Sequence, residues 1–354
     1  MNALQFTPRK SVLLVSVILA LAFGIIWSRS DSKPAPNRAF YYWKTQWAST
    51  PQLLASLKQN EIDTLYVRFF DVGWDDIGKA AQPISAIEFK SPMPEAVEVV
   101  PVVYLVNNVF LNIPYADVEQ LAHNVRKKIH RMASDQVIRF DQIQIDCDWT
   151  DGSRRNYFHF AELLNRQLKD EGKTLSATIR LHQIKYADRT GIPPVDRGML
   201  MFYNFGKIQP DAARSSIFNT QDASRYSNYI ESYRLPLDVV LPAFSWSVQS
   251  RDGEVIGVLG KLAAEDFDSF EGFRRLSRNR YRASRSFFFR GRYFAEDDLV
   301  VVEETTPELT REAAALAREG AGRKRYATVA LFDLDEAHLE KFGSNTIGAV
   351  LAKF

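Results

Sequence analysis

The sequence contains very little cysteine and histidine and no excess of either charge. Its single cysteine, Cys147, excludes an internal disulfide, and neither H-E-x-x-H nor C-x-x-C spacing occurs, so a histidine or thiolate zinc site is not expected. The 45 basic and 43 acidic residues nearly cancel, which gives a nucleic-acid partner no electrostatic support. Phosphate-binding loops of the G-x-G-x-x-G or P-loop type are also missing, so we predict no nucleotide and no other cofactor.

The first 37 residues have the pattern of a signal peptide or a membrane anchor followed by a linker. Arg9 and Lys10 precede about seventeen uncharged residues, 11–27, and a polar, proline-containing stretch follows. The apolar run continues past a small-residue cleavage pattern at 20–22, which slightly favours an uncleaved anchor. We therefore expect a protein anchored in the inner membrane and facing the periplasm, or secreted to the periplasm or cell envelope. A buried N-terminal helix of the fold is the less favoured alternative.

Past residue 38, strand patterns alternate with helix patterns. Eight strands with mostly helical connections predict a (β/α)8 TIM barrel over residues 38–354. Residues of about 249–300 interrupt this alternation, and we interpret them as a small inserted subdomain between strands 7 and 8. Its basic run could bind an acidic polymer, although a solvated surface is the favoured interpretation. The predicted strands span 40–43, 64–70, 99–106, 140–149, 174–181, 198–205, 238–247 and 326–334, and the predicted helices span 51–59, 116–132, 157–171, 223–233 and 307–318.

The fourth predicted strand, FDQIQIDCDWT at 140–150, has carboxylates on one face. Side chains of a strand alternate between its two sides, so Asp146 and Asp148 share a face with two glutamines, opposite isoleucines and Cys147. An apolar face opposite a polar one suits a barrel strand whose polar side points toward the axis. Two buried aspartates are costly unless they are paired or used in chemistry. This strand is therefore the first place to search for a functional site.

Other strands show the same arrangement. Ser176, Thr178, Arg180 and His182 share one face of strand 5. In strand 2, alternation predicts that Tyr66, Arg68 and Phe70 project to one side. These polar side chains collect toward the C-terminal ends of the strands, where barrel enzymes have their active sites.

The fourth strand resembles the D-G-x-D-x-D-x-E signature of the chitinase-like family 18 glycoside hydrolases. The resemblance places Asp146 at the aspartate before the acid and Asp148 at the catalytic glutamate. Residues 199–204 resemble the family's M-x-Y-D strand, with Tyr203 at the tyrosine that supports the substrate acetamido group, and Trp246 resembles the aromatic floor for a sugar ring. The chain departs from the family at Asp148, where an aspartate replaces glutamate, and at Gln144 and Asn204, which replace acidic residues.

The whole chain also resembles bacterial envelope proteins that have no assigned activity. The shared motifs are Y-V-R-F-F-D at 66–71, I-Q-I-D-C-D-W-T at 143–150, T-I-R-L-H-Q at 178–183 and M-F-Y-N at 201–204.

These observations predict a site that binds and cleaves a sugar. Glycoside hydrolysis needs a proton donor and a second group at the anomeric centre, and two nearby carboxylates shift one pKa upward. Asp148 would be the acid, and Asp146 its electrostatic partner or a group that orients a substrate amide. The structural alternative is that both aspartates form ion pairs with Arg68 and Arg180. The predicted substrate-binding residues are Tyr203, Asn204, Trp246, Arg68, Arg180, His182, Trp149 and Asn107.

Three functions remain open at this point. The first is an exported hydrolase that cleaves an envelope or extracellular glycan by acid catalysis from a strand-4 carboxylate. The second is a non-catalytic carbohydrate-binding barrel. The third is a metal-dependent transferase or phosphoesterase that uses Asp146 and Asp148 as ligands for Mg²⁺ or Mn²⁺. The expected partners are a carbohydrate polymer or oligosaccharide and, through the N-terminal segment, a membrane.

Overall fold

Eight parallel strands close into a barrel in a computed structural model that describes residues 35–204, 208–210 and 215–354. Each strand pairs with the next in sequence, and the eighth pairs with the first, so the sheet has no open edge. Helices connect most of the strands, which confirms the predicted (β/α)8 TIM barrel. The barrel strands are β1 Asn37–Tyr42, β2 Thr64–Asp75, β3 Glu98–Leu105, β4 Gln142–Asp146, β5 Thr174–Arg180, β6 Arg197–Met201, β7 Leu237–Pro242 and β8 Thr328–Phe332.

Two strand boundaries differ from the sequence prediction in a way that matters for the site. The strand predicted over 140–149 ends at Asp146, so Asp148 lies in the loop beyond β4. The strand predicted over 238–247 is two strands, because β7 ends at Pro242 and Ser245–Arg251 belongs to another sheet. Phe205, the end of the predicted sixth strand, and the N-terminal segment up to residue 34 lie outside the described residues. Within the described ranges, no helix is long and apolar enough to cross a membrane.

The helices begin where the sequence provides caps. Thr50 and Thr306 each accept a hydrogen bond through the side-chain oxygen from the backbone three residues on, and each precedes a proline at the first helical position. The helices are Pro51–Gln59, Asn107–Asn112, Val118–Asp135, Arg154–Lys169, Leu181–Lys185, Ala187–Thr190, Thr220–Ser227, Ala264–Asp268, Pro307–Gly320, Glu336–Phe342 and Ser344–Leu351, with a 3₁₀ turn at Tyr115–Asp117.

The barrel interior is polar at the level of β4. Gln144 is fully buried, and its side chain accepts a hydrogen bond from Tyr41 and donates one to Ser176 at 3.2 Å. The Tyr41 ring stacks on Tyr66 with 4.9 Å between centroids. The alternation predicted for strand 4 is therefore confirmed, since its amide faces the axis while Ile145 belongs to the apolar core. Buried polar groups of this kind are tolerated because their hydrogen bonds are satisfied.

A bulge in β2 changes which of its side chains face the barrel axis. One extra residue interrupts the pairing with β3 between Arg68 and Phe70. The prediction that Phe70 shares a face with Tyr66 and Arg68 is wrong, because the extra residue reverses the alternation. Phe70 faces the surrounding helices, where Lys128 lies 5.2 Å from its ring centroid. Asp71 faces the interior instead, on the same side as Arg68.

A second sheet lies in the chain between β7 and the helix Pro307–Gly320. We call it the inserted sheet; it has five antiparallel strands. One of its faces covers a small core that contains Phe267, Tyr281 and Phe294. The strands, in spatial order, are Glu254–Gly260, Ser245–Arg251, Leu299–Glu304, Arg280–Ala283 and Phe273–Ser277, and a hairpin of Phe287–Phe289 and Arg292–Phe294 packs beside them.

Shorter strands complete the described architecture. Ala80–Ile84 pairs antiparallel with the last part of β2, and Gln46–Trp47 pairs with Glu88–Phe89.

A buried ion pair connects three strands at the N-terminal end of the barrel. Asp238 of β7 is 3% exposed and accepts two hydrogen bonds from the Arg197 guanidinium of β6, at 2.8 and 2.9 Å. The backbone N–H groups of Ala327 and Thr328 donate to the same carboxylate at 2.8 Å each. The Asp238 side chain therefore accepts all four of these hydrogen bonds.

We expect Asp238→Ala to lower the free energy of unfolding by about 2–4 kcal/mol, because it leaves the partly buried Arg197 guanidinium and two N–H groups without an acceptor. Urea unfolding followed by circular dichroism measures this change. Glu162→Ala is the control, because it breaks an exposed pair with Arg166 at 3.3 Å; it should cost less than about 1 kcal/mol. Equal effects of the two variants would contradict this account of Asp238.

Candidate functional site

A cavity of about 380 Å³ opens at the C-terminal end of the barrel strands, beside the inserted sheet. Strands β2 to β6, the segment after β7, the inserted sheet and the end of β8 all contribute to its walls. The site is therefore formed by distant parts of the chain, at the end of the barrel where the sequence predicted it. The lining residues are Trp43, Arg68, Tyr104, Asp146, Asp148, Arg180, Met201, Tyr203, Asn204, Phe244, Ser245, Trp246, Gly260, Lys261, Phe332 and Asp333.

Asp146 is the buried carboxylate of the site. It is 4% exposed, accepts a hydrogen bond from Thr178 at 2.5 Å and lies 3.2 Å from the Arg180 guanidinium. Burial raises the pKa of Asp146 above its usual range, and the negative charge of Asp148 adds to this effect, while Arg180 and the Thr178 hydroxyl oppose it. The position is thus adapted to a carboxyl group that takes up a proton more readily than an exposed one.

Asp148 is the accessible carboxylate of the site. Its side chain is 56% exposed, and it accepts a hydrogen bond from Arg180 Nε. Arg180 therefore contacts both aspartates, and they raise its pKa further above the usual arginine value against the opposing effect of burial. A purely structural role for the two aspartates predicted ion pairs with Arg68 and Arg180. The ion pairs with Arg180 are present.

Arg68 has a different partner from the one that the structural alternative requires. Its Nε donates to Asp71 at 2.6 Å, and its guanidinium lies 5.5 Å from the Trp43 ring centroid. The bulge in β2 makes this pairing possible, because it places residues three apart on the same side of the strand. Arg68 lines the cavity without pairing to the strand-4 aspartates.

Aromatic side chains form a large part of the cavity wall. Tyr203 is buried, and its ring lies 5.5 Å from both Phe244 and Phe332. Trp246 is half-buried and lies 5.6 Å from Phe244. Burial also raises the pKa of Tyr203, so its hydroxyl stays protonated and can donate a hydrogen bond. Aromatic rings with an attached polar group provide both a stacking surface and a hydrogen bond to a ligand.

Glu303 of the inserted sheet holds Trp246 in place. This carboxylate is 4% exposed, and its Oε2 accepts hydrogen bonds from the Ser216 backbone and hydroxyl at 2.7 and 2.8 Å and from Trp246 Nε1 at 3.3 Å. One buried side chain thus connects the inserted sheet, the segment after β6 and the aromatic wall.

Lys261 is a second contribution of the insertion to the cavity wall, next to Trp246, since Gly260 pairs with Trp246 and the Lys261 backbone N–H donates to Ser245 O at 3.1 Å. Its Nζ lies 2.8 Å from Asp333 Oδ2 and 3.7 Å from Asp335 Oδ2, just after β8. Asp333 is 2% exposed, so this cation compensates a buried carboxylate at the mouth of the barrel. The contact ties the turn after the strand Glu254–Gly260 to the barrel.

Most of the predicted site residues line the cavity: Asp146, Asp148, Arg68, Arg180, Tyr203, Asn204 and Trp246. His182 lies in an adjoining cavity of about 320 Å³, together with Asp148 and Arg180. Trp149 lies elsewhere, because its ring is buried against Tyr157 and its Nε1 donates to Thr190 O at 3.1 Å. Asn107 begins a helix near Thr150 and also does not line the cavity.

Several residues that line or support the cavity were missed by the sequence analysis, among them Tyr104, Phe244, Lys261 and Glu303. Tyr104 lies opposite Asp146 in the pairing of β3 with β4, and alternation along the third predicted strand could have identified it. Phe244, Lys261 and Glu303 had no such signal, because their places depend on how the inserted sheet packs on the barrel.

Within the described parts of the chain, no group of three or more histidine, cysteine, aspartate or glutamate side chains is arranged to hold a metal ion.

Solved structures share this architecture. The spore cortex-lytic enzyme of Bacillus cereus matches with a TM-score of 0.52 and 13% identity, over 91% of this chain and 75% of that one. A chitinase from Chromobacterium violaceum matches with a TM-score of 0.52 and 15% identity, over 90% of this chain and 98% of that one. The chain shares the (β/α)8 barrel fold of these enzymes. The spore cortex-lytic enzyme of Bacillus megaterium gives similar values, with a TM-score of 0.51 and 14% identity over 92% of this chain and 75% of that one.

At these identities the likeness concerns the fold, and it confirms the structural side of the resemblance seen in the fourth strand. No protein-family model matches the chain, and no curated protein matches it.

We expect Asp146→Asn to become more stable relative to the wild type as the pH rises. Below the unfolded-state pKa of about 3.9, the carboxyl is protonated in both states and adds no difference. As the pH rises toward the raised folded-state pKa of Asp146, the unfolded chain releases its proton first, so the wild type loses stability until the difference levels off. Urea unfolding from pH 3.5 to 8 measures this difference.

Asp151→Asn is the matched control, because it removes an exposed carboxylate from the loop after β4 and corrects for the change in net charge. A wild type that gains stability over Asp146→Asn as the pH rises would show that the ion pair with Arg180 outweighs burial.

Proposed function

We propose that this chain hydrolyses glycosidic bonds of a glycan outside the cytoplasm, with Asp148 as the acid that protonates the leaving oxygen. The observation that carries the proposal is the pair of carboxylates at the end of β4 inside an aromatic cavity, one buried and one accessible. Hydrolysis requires two such groups in different environments. The chitinases and spore cortex-lytic enzymes that share the fold support a carbohydrate as the substrate.

Each side chain has a role in this proposal. Asp148 is exposed toward the cavity, so a sugar oxygen can approach it directly. Asp146, at the buried position with the raised pKa, either shares a proton with Asp148 or orients a substrate amide, and water supplies the oxygen that replaces the leaving group at the anomeric carbon. The Tyr203 hydroxyl contacts Met201 sulfur at 3.2 Å and lies at the cavity wall, where it can donate to a carbonyl of the substrate. Trp246 offers a ring face to the sugar.

A second candidate function is carbohydrate binding without hydrolysis. The observation in its favour is Arg180, which donates to Asp148 and lies beside Asp146. A guanidinium in this position stabilises ionised carboxylates, whereas a general acid has to carry a proton when the substrate is bound. In the catalytic proposal, the substrate displaces Arg180 from Asp148 before proton transfer.

Asp148→Asn distinguishes the two candidates. If Asp148 is the acid, we expect turnover to fall by about 100-fold or more, since general acid catalysis typically contributes 10²–10⁴-fold. Binding should persist, because the amide keeps the size and most hydrogen bonds of the carboxylate. The measurements are product release and calorimetric binding of the full chain with chitooligosaccharides, peptidoglycan fragments and a wider panel of bacterial and host glycans. Asp151→Asn is the control and should retain full turnover.

Other outcomes of this experiment are equally informative. Wild-type protein that binds a glycan but never cleaves it would favour the non-catalytic barrel, and failure to bind any glycan would remove the carbohydrate proposal. Turnover that EDTA abolishes and Mg²⁺ restores would favour metal-dependent chemistry at Asp146 and Asp148.

The location outside the cytoplasm rests on the sequence of residues 1–37. A basic pair followed by an uncharged run of about seventeen residues is the pattern of an export signal or an anchor. We expect the full chain to fractionate with membranes and to resist alkaline extraction if the segment is an uncleaved anchor. Recovery in the soluble periplasmic fraction with a shortened N-terminus would indicate cleavage, and recovery in the cytoplasm would contradict export.

A further inference from the structure

The smaller cavity beside the site shares part of its wall with the main cavity. We call it the adjoining cavity; its volume is about 320 Å³. Asp148, Arg180, Tyr203 and Asn204 line both cavities. The side chain of Asp148 is 56% exposed and Asn204 is exposed, so the boundary between the two cavities is open to a ligand. The remaining wall of the adjoining cavity consists of Leu181, His182 and Tyr226.

A short helix that follows β5 directly carries one part of this wall. Gln183 is fully buried, and its side-chain oxygen accepts a hydrogen bond from the Arg180 backbone N–H at 2.7 Å. This bond closes the first turn of the helix Leu181–Lys185 at the end of the strand. His182 is therefore held next to Arg180, with its side chain exposed.

Tyr226, from the helix Thr220–Ser227, provides the aromatic part of the wall. The Lys185 Nζ lies 5.3 Å from the centroid of this ring and 5.7 Å from that of Tyr229. A cation at this distance from an aromatic ring is attracted to it, so the contact joins the two helices beside the cavity. The wall is thus formed without a ligand.

The imidazole of His182 is available to a ligand. Among the residues that the structure describes, its side chain has no hydrogen bond and no ion pair. Burial lowers the pKa of His182, although the negative charge of Asp148 opposes this effect. The ring is therefore neutral near pH 7 and offers one donor and one acceptor. Because the Asp148 carboxylate also lines this cavity, an uncharged ligand suits it better than an acidic one.

The two cavities differ in the groups that could act on a sugar. Asp146 and Trp246 line the main cavity and, of the described residues, neither lines the adjoining one. Glycoside hydrolysis needs a second group at the anomeric centre, besides the acid at the leaving oxygen. The reacting sugar therefore fits the main cavity, and Asp148 lies at the boundary, where the bridging oxygen would be.

We propose that the adjoining cavity binds the leaving part of the glycan, an uncharged sugar that hydrogen-bonds to His182 and packs on Tyr226. This inference rests on the proposed hydrolysis and adds the position beyond the cleaved bond. The proton of Asp148 passes to the bridging oxygen, the bond from that oxygen to the anomeric carbon breaks, and the sugar in the adjoining cavity leaves with the proton. Water gives its hydroxyl to the anomeric carbon and its other proton to the carboxylates.

The test compares two kinds of leaving group on the full chain. Chitotetraose and cellotetraose are uncharged and differ in whether they carry acetamido groups. The phenyl glycosides of chitobiose and cellobiose place a ring without hydroxyl groups in the adjoining cavity. The values of kcat and KM are measured for each probe, and calorimetry measures binding of probes that are not cleaved.

We expect His182→Leu to lower kcat/KM for the preferred tetrasaccharide by about five- to tenfold, mainly through KM, because it removes a neutral hydrogen bond to the leaving sugar. The decrease for the matching phenyl glycoside should be several times smaller. His182→Gln should restore part of the activity, since its amide can still donate and accept a hydrogen bond.

His123→Leu is the matched control, because it makes the same change at an exposed histidine of the helix Val118–Asp135, which does not contribute to either cavity. This variant should have the kinetics of the wild type for all four probes. Circular dichroism of both leucine variants excludes misfolding as the cause of a loss.

The outcomes separate this inference from the proposed function. Hydrolysis that His182→Leu leaves unchanged, or lowers equally for both kinds of leaving group, overturns the inference and leaves the proposed function standing. Cleavage of only acidic glycans from the wider panel has the same meaning. Tetrasaccharide binding without cleavage, weakened by His182→Leu but not by His123→Leu, supports sugar binding in the adjoining cavity and contradicts hydrolysis. Failure to bind any glycan contradicts both.

Discussion

The site depends on how a negative charge is kept inside the barrel. Asp146 faces the axis at the end of β4, where little solvent reaches its charge, and Thr178 and Arg180 contact the carboxylate. Arg180 extends from the end of β5 to both strand-4 aspartates, so the adjacent strands are coupled through charge as well as through backbone hydrogen bonds. Removing either the cation or the buried anion would leave the other one unpaired in a partly desolvated cavity.

The polar interior of the barrel and the aromatic mouth of the cavity differ in whether their polar groups already have hydrogen-bond partners. Below the cavity, Gln144 is hydrogen-bonded to Tyr41 and Ser176, which lets a polar strand face lie inside the barrel. At the mouth, the aromatic rings and the charged groups face open space and are available to a ligand. The two kinds of polar group are only four residues apart in the chain: Gln144 is buried and hydrogen-bonded within the barrel, whereas Asp148 is exposed to the cavity.

Strand alternation predicts much of the site, and its failures have identifiable causes. The period of two along strands 4 and 5 brings Asp146 and Arg180 to one face, as the structure has them. The same rule places Trp149 on the face opposite Asp148, which agrees with its burial outside the cavity. Phe70 was misplaced because the bulge in β2 leaves no mark in the residue pattern. Lys261 could not be predicted, since its place depends on a sheet that packs against strands distant in sequence.

The insertion between β7 and β8 supplies part of the cavity wall around the strand-4 carboxylates. The carboxylates belong to the barrel, whereas Trp246 and Lys261 belong to the inserted sheet and the turn that follows one of its strands, and that sheet has its own small core. Because that sheet is contiguous in sequence, substitutions there can alter which ligand is accepted and leave the strand-4 carboxylates unchanged. A change of ligand preference in a lineage of such proteins would therefore be recorded mainly between residues 245 and 304.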